Sequence, residues 1–391
     1  MHMSMLRRSV SSLVLKSASE FPVVTITGPR QAGKTTLARA LFPDLPYVNF
    51  ERPDVRERFQ ADALGFLSGL RGGAVFDEVQ RVPALTSWLQ AMVDEEPVNG
   101  RFILTGSVQF ELMSTVSQSL AGRTALVRLL PFSLEELGPA AADASIDTLL
   151  FRGFYPRIHD QGLDPTQAYG DYVQTYIERD VRQFSEIRHL AAFQRFLRLC
   201  AGRAGQLLNL ESLGADAGIS GVQARQWLTV LEASYLVFLL PPWFSNIGKR
   251  LTKSPKLYFY DVGLAAWLSG IEKVGQLSNH PLRGAFFENL IVMEALKRRF
   301  NAGRTAGLHF FRDARGLEVD LLWPLGQRFI PIEIKSGSTI ASDFFSSIDK
   351  LRAILPELCD EGMLVYGGRE DWDRSGAKVR SYADFASELP L

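Results

Sequence analysis

The sequence predicts an α/β protein in three parts: a domain on a parallel sheet, an all-α and winged-helix region, and a second α/β domain. Near the start, an apolar β-branched run precedes a Gly-rich loop and a helical pattern. In the middle, apolar residues recur at helical spacing. Near the end, apolar and polar residues alternate along strand candidates that follow a strong helix. We expect the parts to be residues 1–165, 166–278 and 279–391.

Composition restricts the classes of protein that this chain can belong to. Its 391 residues are too many for one ordinary domain. Lys and Arg number 43, as do Asp and Glu, so nucleic-acid binding would have to come from local patches. The 2 cysteines are far apart, which favours a reducing compartment. With no membrane-spanning run and no signal-peptide pattern, we expect a cytoplasmic protein that does not contact a membrane.

The stretch from Gly28 to Thr35 has the G-x-x-x-x-G-K-[ST] pattern of a phosphate loop, between a strand and a helix pattern. Backbone N–H groups of such a loop, and the positive end of the following helix, bind phosphates. Lys34 is expected to reach the β- and γ-phosphates, and Thr35 to hold Mg²⁺. The residues that we expect at the nucleotide are Gly28, Pro29, Arg30, Gln31, Ala32, Gly33, Lys34, Thr35 and Thr36.

A second apolar strand candidate ends in two carboxylates, Asp77 and Glu78. An acid at the end of a buried strand can join the Mg²⁺ shell, and its neighbour can polarise the attacking water. We assign the first role to Asp77 and the catalytic role to Glu78. The alternative is a strand that ends in two solvated acids.

Two further positions are candidates for contact with the γ-phosphate. Ser107, or Thr105, ends a third strand where an open α/β sheet places its ligand crevice; the alternative is a helix cap. Arg123 follows a Gly and is a candidate arginine finger that acts on a neighbouring subunit's nucleotide, so we expect a homo-oligomer. The alternative for Arg123 is an ordinary surface arginine.

Four motifs together resemble one group of prokaryotic AAA-type ATPases, which join an ATPase module to a C-terminal domain. They are Gly-Pro-Arg-Gln-x-Gly-Lys-Thr-Thr, Phe-Asp-Glu-Val-Gln, Leu-Thr-Gly-Ser and Ala-Gly-Arg. The resemblance implies that Lys34, Thr35, Asp77 and Glu78 form a site for ATP and Mg²⁺. No base-specific element is evident, so the choice between ATP and GTP stays open on the residues alone.

The middle of the chain has helix-turn-helix spacing over residues 209–230, with Ser220 as an expected N-cap. Two apolar strand candidates follow, and the segment 249–256 between them is basic. A winged helix with a basic wing suits contacts to DNA phosphates, whereas the alternative is a packing module only. The groove-facing candidates are Gln223, Arg225 and Gln226.

The last part contains a helix over 284–300 and three strand candidates that carry acidic residues. Alternation places Glu333 and Lys335 on one face of a strand. With Glu288 and Asp320, this set resembles the PD-(D/E)XK restriction-endonuclease fold. The resemblance implies that Glu288, Asp320 and Glu333 hold Mg²⁺ and that Lys335 acts in catalysis. A binding-only domain, or cross-strand ion pairs among these residues and Glu318, are the alternatives.

These patterns favour a Mg²⁺-dependent ATPase that remodels or processes branched or duplex DNA, and they leave metal-dependent nuclease activity open. The alternative is a signalling switch, in which ATP occupancy sets a conformation and the C-terminal domain only binds a partner or DNA. DNA-stimulated ATP turnover would separate the two.

Overall fold

The computed structural model describes residues 6–106, 119–177, 189–243, 254–374 and 376–391. The chain forms two compact units. The first unit comprises Met1–Phe132, Ala233–Tyr235 and Phe300–Gly303. The second comprises Ser133–Glu232, Leu236–Arg299 and Arg304–Leu391. Two compact units do not decide the number of domains, so the three-part division at 165 and 278 stays a prediction.

The first unit is built on a five-stranded sheet in the order β2-β3-β4-β1-β5, with every pair parallel. Its strands are β1 (Val23–Thr27), β2 (Tyr47–Asn49), β3 (Ala74–Asp77), β4 (Phe102–Thr105) and β5 (Thr124–Arg128). Its described helices are α1 (Ser11–Glu20), α2 (Lys34–Leu41), α3 (Pro53–Ala61), α4 (Ala63–Ser68) and α5 (Leu85–Glu95), with a 3₁₀ turn at Val79–Arg81. The parallel sheet that the sequence predicts is confirmed.

Helices cover both faces of this sheet, because successive side chains of each strand point to opposite sides. Phe102 and Leu104 of β4 belong to the core that includes Leu89 of α5. Ile103 between them belongs to the opposite core, with Leu37 of α2. Polar groups that must meet a ligand are therefore confined to the ends of the strands.

The second unit begins with helices and ends in a mixed sheet. Its described helices are α6 (Leu134–Leu137), α7 (Pro139–Ala142), α8 (Ile146–Arg152), α9 (Pro156–Asp160), α10 (Pro165–Tyr172), α11 (Leu190–Ala201), α12 (Leu210–Ala217), α13 (Gly221–Ala233), α14 (Val262–Leu268), α15 (Arg283–Asn301), α16 (Ser346–Ile354) and α17 (Phe385–Glu388). Val173–Ile177 is a π-helical turn, and Val274–Gln276 and Ser342–Phe345 are 3₁₀ turns.

Two sheets lie in this unit. Strands β6 (Val237–Leu240) and β7 (Lys256–Phe259) pair antiparallel. The larger sheet has the order β12-β13-β11-β10-β9-β8. Its strands are β8 (His309–Arg312), β9 (Glu318–Leu325), β10 (Arg328–Lys335), β11 (Gly362–Tyr366), β12 (Trp372–Arg374) and β13 (Ala377–Ser381). β10 lies between antiparallel β9 and parallel β11, which places its side chains in the centre of the sheet.

Residues that follow Phe132 pack with the second unit, and the domain boundary at 165 that the sequence suggested stays a prediction. The Leu134 N–H donates to Glu294 Oε2 at 2.9 Å, and Arg283 Nε donates to Asp147 Oδ1 at 2.7 Å. Both contacts join the segment after Phe132 to helix α15. These long-range bonds are invisible to the local composition from which the boundary was predicted.

Among the described residues, no helix combines the length and apolar character that a membrane crossing needs.

Candidate functional site

The order of strands in the first unit brings two polar residues, Thr105 and Asp77, to one edge of the sheet. β4 lies between β1 and β3, so the end of β4 stands beside both the loop after β1 and the end of β3. In open parallel sheets, ligands bind at the carboxyl ends of the strands, where the strand order reverses. Thr105 ends β4 and Asp77 ends β3 at this edge.

The loop between β1 and α2 needs its glycines for a tight backbone path. Gly28 has φ 145°, and a Cβ there would lie 2.0 Å from the carbonyl oxygen of Leu129. Gly33 has φ 90° and forms the N-cap of α2. Gln31, between them, also has positive φ, at 62°. Three left-handed residues in so short a stretch curl the backbone, which is how a loop turns its N–H groups toward an anion.

Lys34 lies in the curl of this loop. Its Nζ donates to the carbonyl oxygens of Gly28 at 2.9 Å and Pro29 at 2.7 Å, and the residue is 7% exposed. Because α2 begins at Lys34, the positive end of the helix and the ammonium face the same space. The loop residues named from the sequence thus form one compact cradle, which fits a bound phosphate chemically.

Three hydroxyl groups surround the Asp77 carboxylate. Thr35 Oγ1 donates to Asp77 Oδ2 at 2.9 Å, and the Tyr47 hydroxyl donates to the same oxygen at 2.6 Å. Thr105 Oγ1 donates to Oδ1. Burial, followed by the hydrogen bond to Asp77, raises the pKa of Tyr47 above its usual range. A carboxylate beside a Thr hydroxyl is a hard-oxygen donor set of the kind that Mg²⁺ prefers.

Tyr47, on β2, was not identified from the sequence as a site residue. The register of β2 against β3 pairs Asn49 with Asp77 and Tyr47 with Val75, which brings the phenol alongside the acid. Since β2 and β3 are 24 residues apart in sequence at their nearest ends, no local pattern shows this pairing. Sequence alone shows a tyrosine in β2 and an acid at the end of β3, but it does not show that the two strands are neighbours.

Glu78 adopts a left-handed backbone conformation, with φ 56° and ψ 45°. Such angles are uncommon for residues other than glycine, and they turn the side chain away from the direction of the strand. Gln80, in the following 3₁₀ turn, donates from Nε2 to Glu78 Oε2. Gln80 ends the Phe-Asp-Glu-Val-Gln motif, but the sequence assigned it no role at the site.

Arg8 supports the loop from outside the predicted motif. Its Nη1 donates to the Ala32 carbonyl at 2.7 Å and its Nη2 donates to the Leu130 carbonyl at 2.6 Å. The guanidinium also lies 4.8 Å from the centroid of the Phe132 ring. Arg8 therefore ties the phosphate loop to the segment that follows β5. Because Arg8 is 24 residues from Ala32, no local sequence pattern indicates this contact.

The two candidates for γ-phosphate contact have different outcomes. Ser107 lies outside the described residues, whereas the alternative Thr105 hydrogen-bonds to Asp77. Arg123 pairs with Asp94 of its own chain through Nε at 2.5 Å and Nη2 at 2.8 Å. The hydrogen bond from Arg123 lowers the pKa of Asp94. A role for Arg123 as a finger stays a prediction, and it would require release from Asp94.

In the second unit, the predicted acidic residues gather around two lysines. Lys335 Nζ lies 2.6 Å from Glu333 Oε1 and 4.0 Å from Asp320 Oδ2. Lys256 Nζ lies 2.9 Å from Glu288 Oε1 and 3.7 Å from Asp320 Oδ1. This set, which we call the acidic centre, joins strands β7, β9 and β10 to helix α15. The predicted placement of Glu333 and Lys335 on one face is confirmed by their contact.

Lys256 is the member of the acidic centre that the sequence did not identify. It is 2% exposed and also pairs with Glu318 Oε1 at 2.6 Å. The Tyr258 hydroxyl donates to Glu288 Oε1 at 2.6 Å. Both residues come from β7, which the sequence assigned to the wing. The cross-strand ion pairs that we kept as an alternative are therefore present.

Crowded carboxylates hold protons tightly in this centre. Burial, with repulsion from Asp320, raises the pKa of Glu288 to about 7 and that of Glu333 to about 8. Burial opposes the charge on Lys256, but the surrounding acids Glu288, Asp320 and Glu318 raise its pKa overall. Both lysines remain cations while the carboxylates compete for a proton.

The described part of the chain contains no group of three or more His, Cys, Asp or Glu side chains arranged to hold a metal ion. In the acidic centre, the ammonium groups of Lys256 and Lys335 contact the carboxylates and neutralise their charge. One oxygen, Glu333 Oε2, is buried without a hydrogen-bond partner among the described residues. That oxygen fits a metal ligand, whereas Lys256 competes with one, so metal binding by Glu288, Asp320 and Glu333 stays a prediction.

The helix pair predicted to contact DNA lies at α12 and α13. Ser220 Oγ accepts a hydrogen bond from the Gln223 N–H at 3.1 Å, as expected of an N-cap. Arg225 and Gln226 are exposed on α13, and Gln223 is half-buried. In the basic segment, residues 249–253 lie outside the described residues, and the Lys256 ammonium faces carboxylates rather than solvent. Whether this region is a winged helix that binds DNA stays a prediction.

Three family models match successive parts of this chain. Residues 20–138 match the AAA domain, residues 143–274 match a domain of unknown function (DUF8612), and residues 283–384 match another domain of unknown function (DUF4143). The phosphate loop, Asp77 and Glu78 fall in the AAA domain. The acidic residues of α15, β9 and β10 fall in the third segment.

Full-length relatives and a solved structure extend the comparison. The uncharacterized protein Rv2008c of Mycobacterium tuberculosis and the uncharacterized protein Mb2031c of Mycobacterium bovis are each 35% identical over 336 residues, or 85% of this chain and 74% of theirs. The Walker-type ATPase PABY2304 of Pyrococcus abyssi is 16% identical, with a TM-score of 0.45 over 67% of this chain and 95% of that one.

The structural overlap at that TM-score is too weak to carry an inference, and the conclusion depends on the family match and the site. Residues 20–138 form a P-loop domain of the AAA type, with the loop, the acidic strand and the parallel sheet that such a domain requires. The chain belongs to the same family as the uncharacterized mycobacterial proteins Rv2008c and Mb2031c.

Proposed function

We propose that this chain is a Mg²⁺-dependent ATPase that acts on DNA, by remodelling or processing branched or duplex DNA. One observation carries the ATPase part: the Thr35 hydroxyl and the Asp77 carboxylate meet at 2.9 Å beside the phosphate loop. Hard oxygen donors and a loop of backbone donors at the same sheet edge suit a triphosphate with its metal ion.

Each residue of the site has a defined task in this proposal. Backbone N–H groups of the loop bind the phosphates, and Lys34 exchanges its carbonyl partners for the β- and γ-phosphate oxygens. Thr35 and Asp77 hold Mg²⁺, which neutralises charge on the phosphates when it is bound. Glu78 accepts a proton from the attacking water.

The DNA part of the proposal is supported by the exposed surface of α13. Arg225 and Gln226 project from the second helix of a helix-turn-helix pair, where side chains can reach base edges and phosphates. Thr229 continues the same polar face.

The acidic centre supports metal-dependent cleavage of DNA as a second activity. The buried and unpartnered Glu333 Oε2 is the observation that favours it, because a buried carboxylate oxygen is costly unless it is paired or bound to a metal. Lys335, in contact with Glu333, provides a positive group of the kind that stabilises a phosphoryl transition state.

A signalling switch is the second candidate function, and the Arg123–Asp94 pair favours it. While Arg123 is paired with Asp94, its guanidinium does not contact a phosphate, which is consistent with slow hydrolysis and a long-lived ATP-bound state. In the ATPase proposal, a neighbouring protomer of a homo-oligomer must displace Asp94. Turnover per protomer should then rise with protein concentration, and a flat dependence would remove the finger from the proposal.

ATP turnover with and without DNA tests the main proposal. We expect hydrolysis in Mg²⁺ that rises with single-stranded, duplex or branched DNA, and no hydrolysis by Lys34→Ala. Arg225→Ala should lower the stimulation by DNA and leave basal turnover unchanged. If none of the DNA forms changes the rate of ATP hydrolysis, the signalling switch explains the protein better than the DNA-dependent ATPase.

Cleavage is tested separately on supercoiled and branched DNA with Mg²⁺ or Mn²⁺. We expect nicking or cutting by the wild-type chain that is lost in Asp320→Ala and in Glu333→Ala. The exposed Glu357 of the same unit gives a matched control, since Glu357→Ala should cleave normally. If the acidic-centre variants behave like the wild type, the nuclease part is rejected and the ATPase part is unaffected.

A further inference from the structure

Gln80 has two features that its position in a short turn does not explain. The residue is 8% exposed, and its Nε2 donates to the carboxylate of Glu78. Its other polar atom, Oε1, is buried and finds no hydrogen-bond donor among the described residues. A buried carbonyl oxygen without a donor has lost its hydrogen bonds to water and gained none in return, so such an atom calls for an explanation.

The backbone at Glu78 directs both side chains to one place. The left-handed conformation of Glu78 begins the 3₁₀ turn Val79–Arg81, and this tight turn brings residue 80 back against residue 78. A residue with a side chain is strained in this region because its Cβ crowds the neighbouring carbonyl oxygen, and strain of this kind gathers at functional sites. Asp77, whose carboxylate meets Thr35, directly precedes Glu78.

The two groups together offer a water molecule two acceptors. Glu78 provides a carboxylate oxygen, and Gln80 provides Oε1 from the same amide that donates to Glu78. A water that donates one hydrogen to each keeps its lone pair free for attack. The amide hydrogen bond holds the carboxylate in one orientation, which a flexible glutamate would otherwise lack.

We infer that Gln80 is a second polar group of the hydrolytic site: its amide positions Glu78, and its carbonyl accepts a hydrogen bond from the attacking water. The inference rests on the proposed ATPase function. In the step, the water oxygen bonds to the γ-phosphorus and the bond from that phosphorus to the bridging oxygen breaks. ADP leaves with the electron pair, Glu78 takes one water proton, and the other stays on the new phosphate.

Gln80→Met tests the inference because methionine preserves length and volume but has no amide. Single-turnover ATP hydrolysis should slow by at least about ten-fold, whereas the dissociation constant for a fluorescent ATP analogue should stay within about two-fold. Gln60→Met, on the exposed side of α3 in the same unit, is the matched control and should hydrolyse ATP normally.

A double variant distinguishes this function from a structural role. If Gln80 acts through Glu78 and its water, Gln80→Met should slow a Glu78→Gln chain by no more than about two-fold. The inference is overturned if Gln80→Met hydrolyses ATP at the wild-type rate. It is also overturned if the fold-reductions in rate caused by Gln80→Met and Glu78→Gln multiply in the double variant. If Gln80→Met does not bind nucleotide, Gln80→Glu decides, because it keeps the shape but loses the donor and should also slow turnover at normal affinity.

These outcomes are separable from failure of the proposed function. If the wild-type chain does not hydrolyse ATP, or if Lys34→Ala hydrolyses it normally, the ATPase proposal fails. If both behave as expected and Gln80→Met matches the wild type, only the function of Gln80 is rejected.

Discussion

The phosphate loop in the first unit and the acidic centre in the second each bury a lysine, and the contacts around the two lysines differ. Lys34 rests on the backbone carbonyls of Gly28 and Pro29, and Asp77 accepts from hydroxyl groups. Lys256, in contrast, pairs directly with Glu288 and other acids.

The difference indicates which site is ready for a charged ligand. The carbonyl contacts of Lys34 and the hydroxyl contacts of Asp77 can be exchanged for a phosphate or a metal ion at small cost, whereas the buried ion pairs of Lys256 must first be broken. We therefore expect the first unit to bind nucleotide as it stands and the second to bind a cation only in competition with Lys256. The predictions below test this contrast in order of decreasing effect.

Loss of Lys34 should have the largest effect. Lys34→Ala removes the cation that serves the β- and γ-phosphates, and ATP turnover should fall by about 100-fold or more. Steady-state phosphate release measures the change. Lys16→Ala, at an exposed position of α1, is the control and should turn over ATP normally. Residual turnover above about a tenth of the wild-type rate would mean that the ammonium does not act on the phosphates.

Loss of Lys256 should destabilise the second unit. Lys256→Met removes the buried cation that pairs with Glu288, while Glu318 keeps Arg312 and Asp320 keeps Lys335. The free energy of unfolding should fall by about 3–5 kcal/mol in EDTA. Urea titration followed by fluorescence measures it, with exposed Lys273→Met as the control. Added Mn²⁺ should restore part of this lost stability if the carboxylates can bind a metal ion. If Lys256→Met is as stable as the wild type in EDTA, the proposed difference between the two sites is wrong.

The acidic centre should make stability depend on pH. Because burial raises the pKa of Glu288 to about 7 and of Glu333 to about 8, the folded chain retains protons that the unfolded chain releases near pH 4.5. Stability should therefore fall as the pH rises from about 4.5 to about 8, by at most about 1.4 kcal/mol per unit for each proton retained.

Urea midpoints measured at several pH values test this slope. The groups that face the two glutamates are Lys256, Tyr258, Glu318, Asp320 and Lys335. Glu333→Gln cannot ionise, so the slope should flatten in this variant. A slope identical to that of the wild type would show that Glu333 is ionised already at low pH.

The smallest effect should come from Tyr47, one of the hydroxyl groups on Asp77. Tyr47→Phe removes a hydrogen bond to a charged group, while Thr35 and Thr105 remain as donors. We expect the free energy of unfolding of the first unit to fall by about 1.5 kcal/mol, the low end for such bonds. Mg²⁺ affinity in the presence of ATP should change by less than about ten-fold. A larger loss of Mg²⁺ affinity would show that the phenol itself maintains the metal site.

Short sequence patterns correctly predicted features that involve residues close together in the chain. Strand–loop–helix context located the loop and Lys34, an apolar run followed by acids located Asp77 and Glu78, and period-two alternation placed Glu333 beside Lys335. Each of these relations spans only a few residues, so a single stretch of sequence contains the information.

Partners from distant parts of the chain were missed. Tyr47 reaches Asp77 across 30 residues, and Lys256 reaches Glu288 across 32. Such contacts depend on strand register and strand order, in particular on β4 lying between β1 and β3, which no single stretch specifies. Gln80 is the exception, since it is two residues from Glu78. There the missing information was the left-handed turn rather than the distance.

A crystal soaked with Mg²⁺ and a non-hydrolysable ATP analogue tests the contrast most directly. We predict density for the triphosphate over the loop from Gly28 to Thr35, with Lys34 turned from its carbonyls to the phosphates and the metal ion beside Thr35 and Asp77. Lys256 should stay on its carboxylates in the same crystal. Nucleotide bound elsewhere with the loop empty, or a metal ion in the acidic centre alone, would contradict the account.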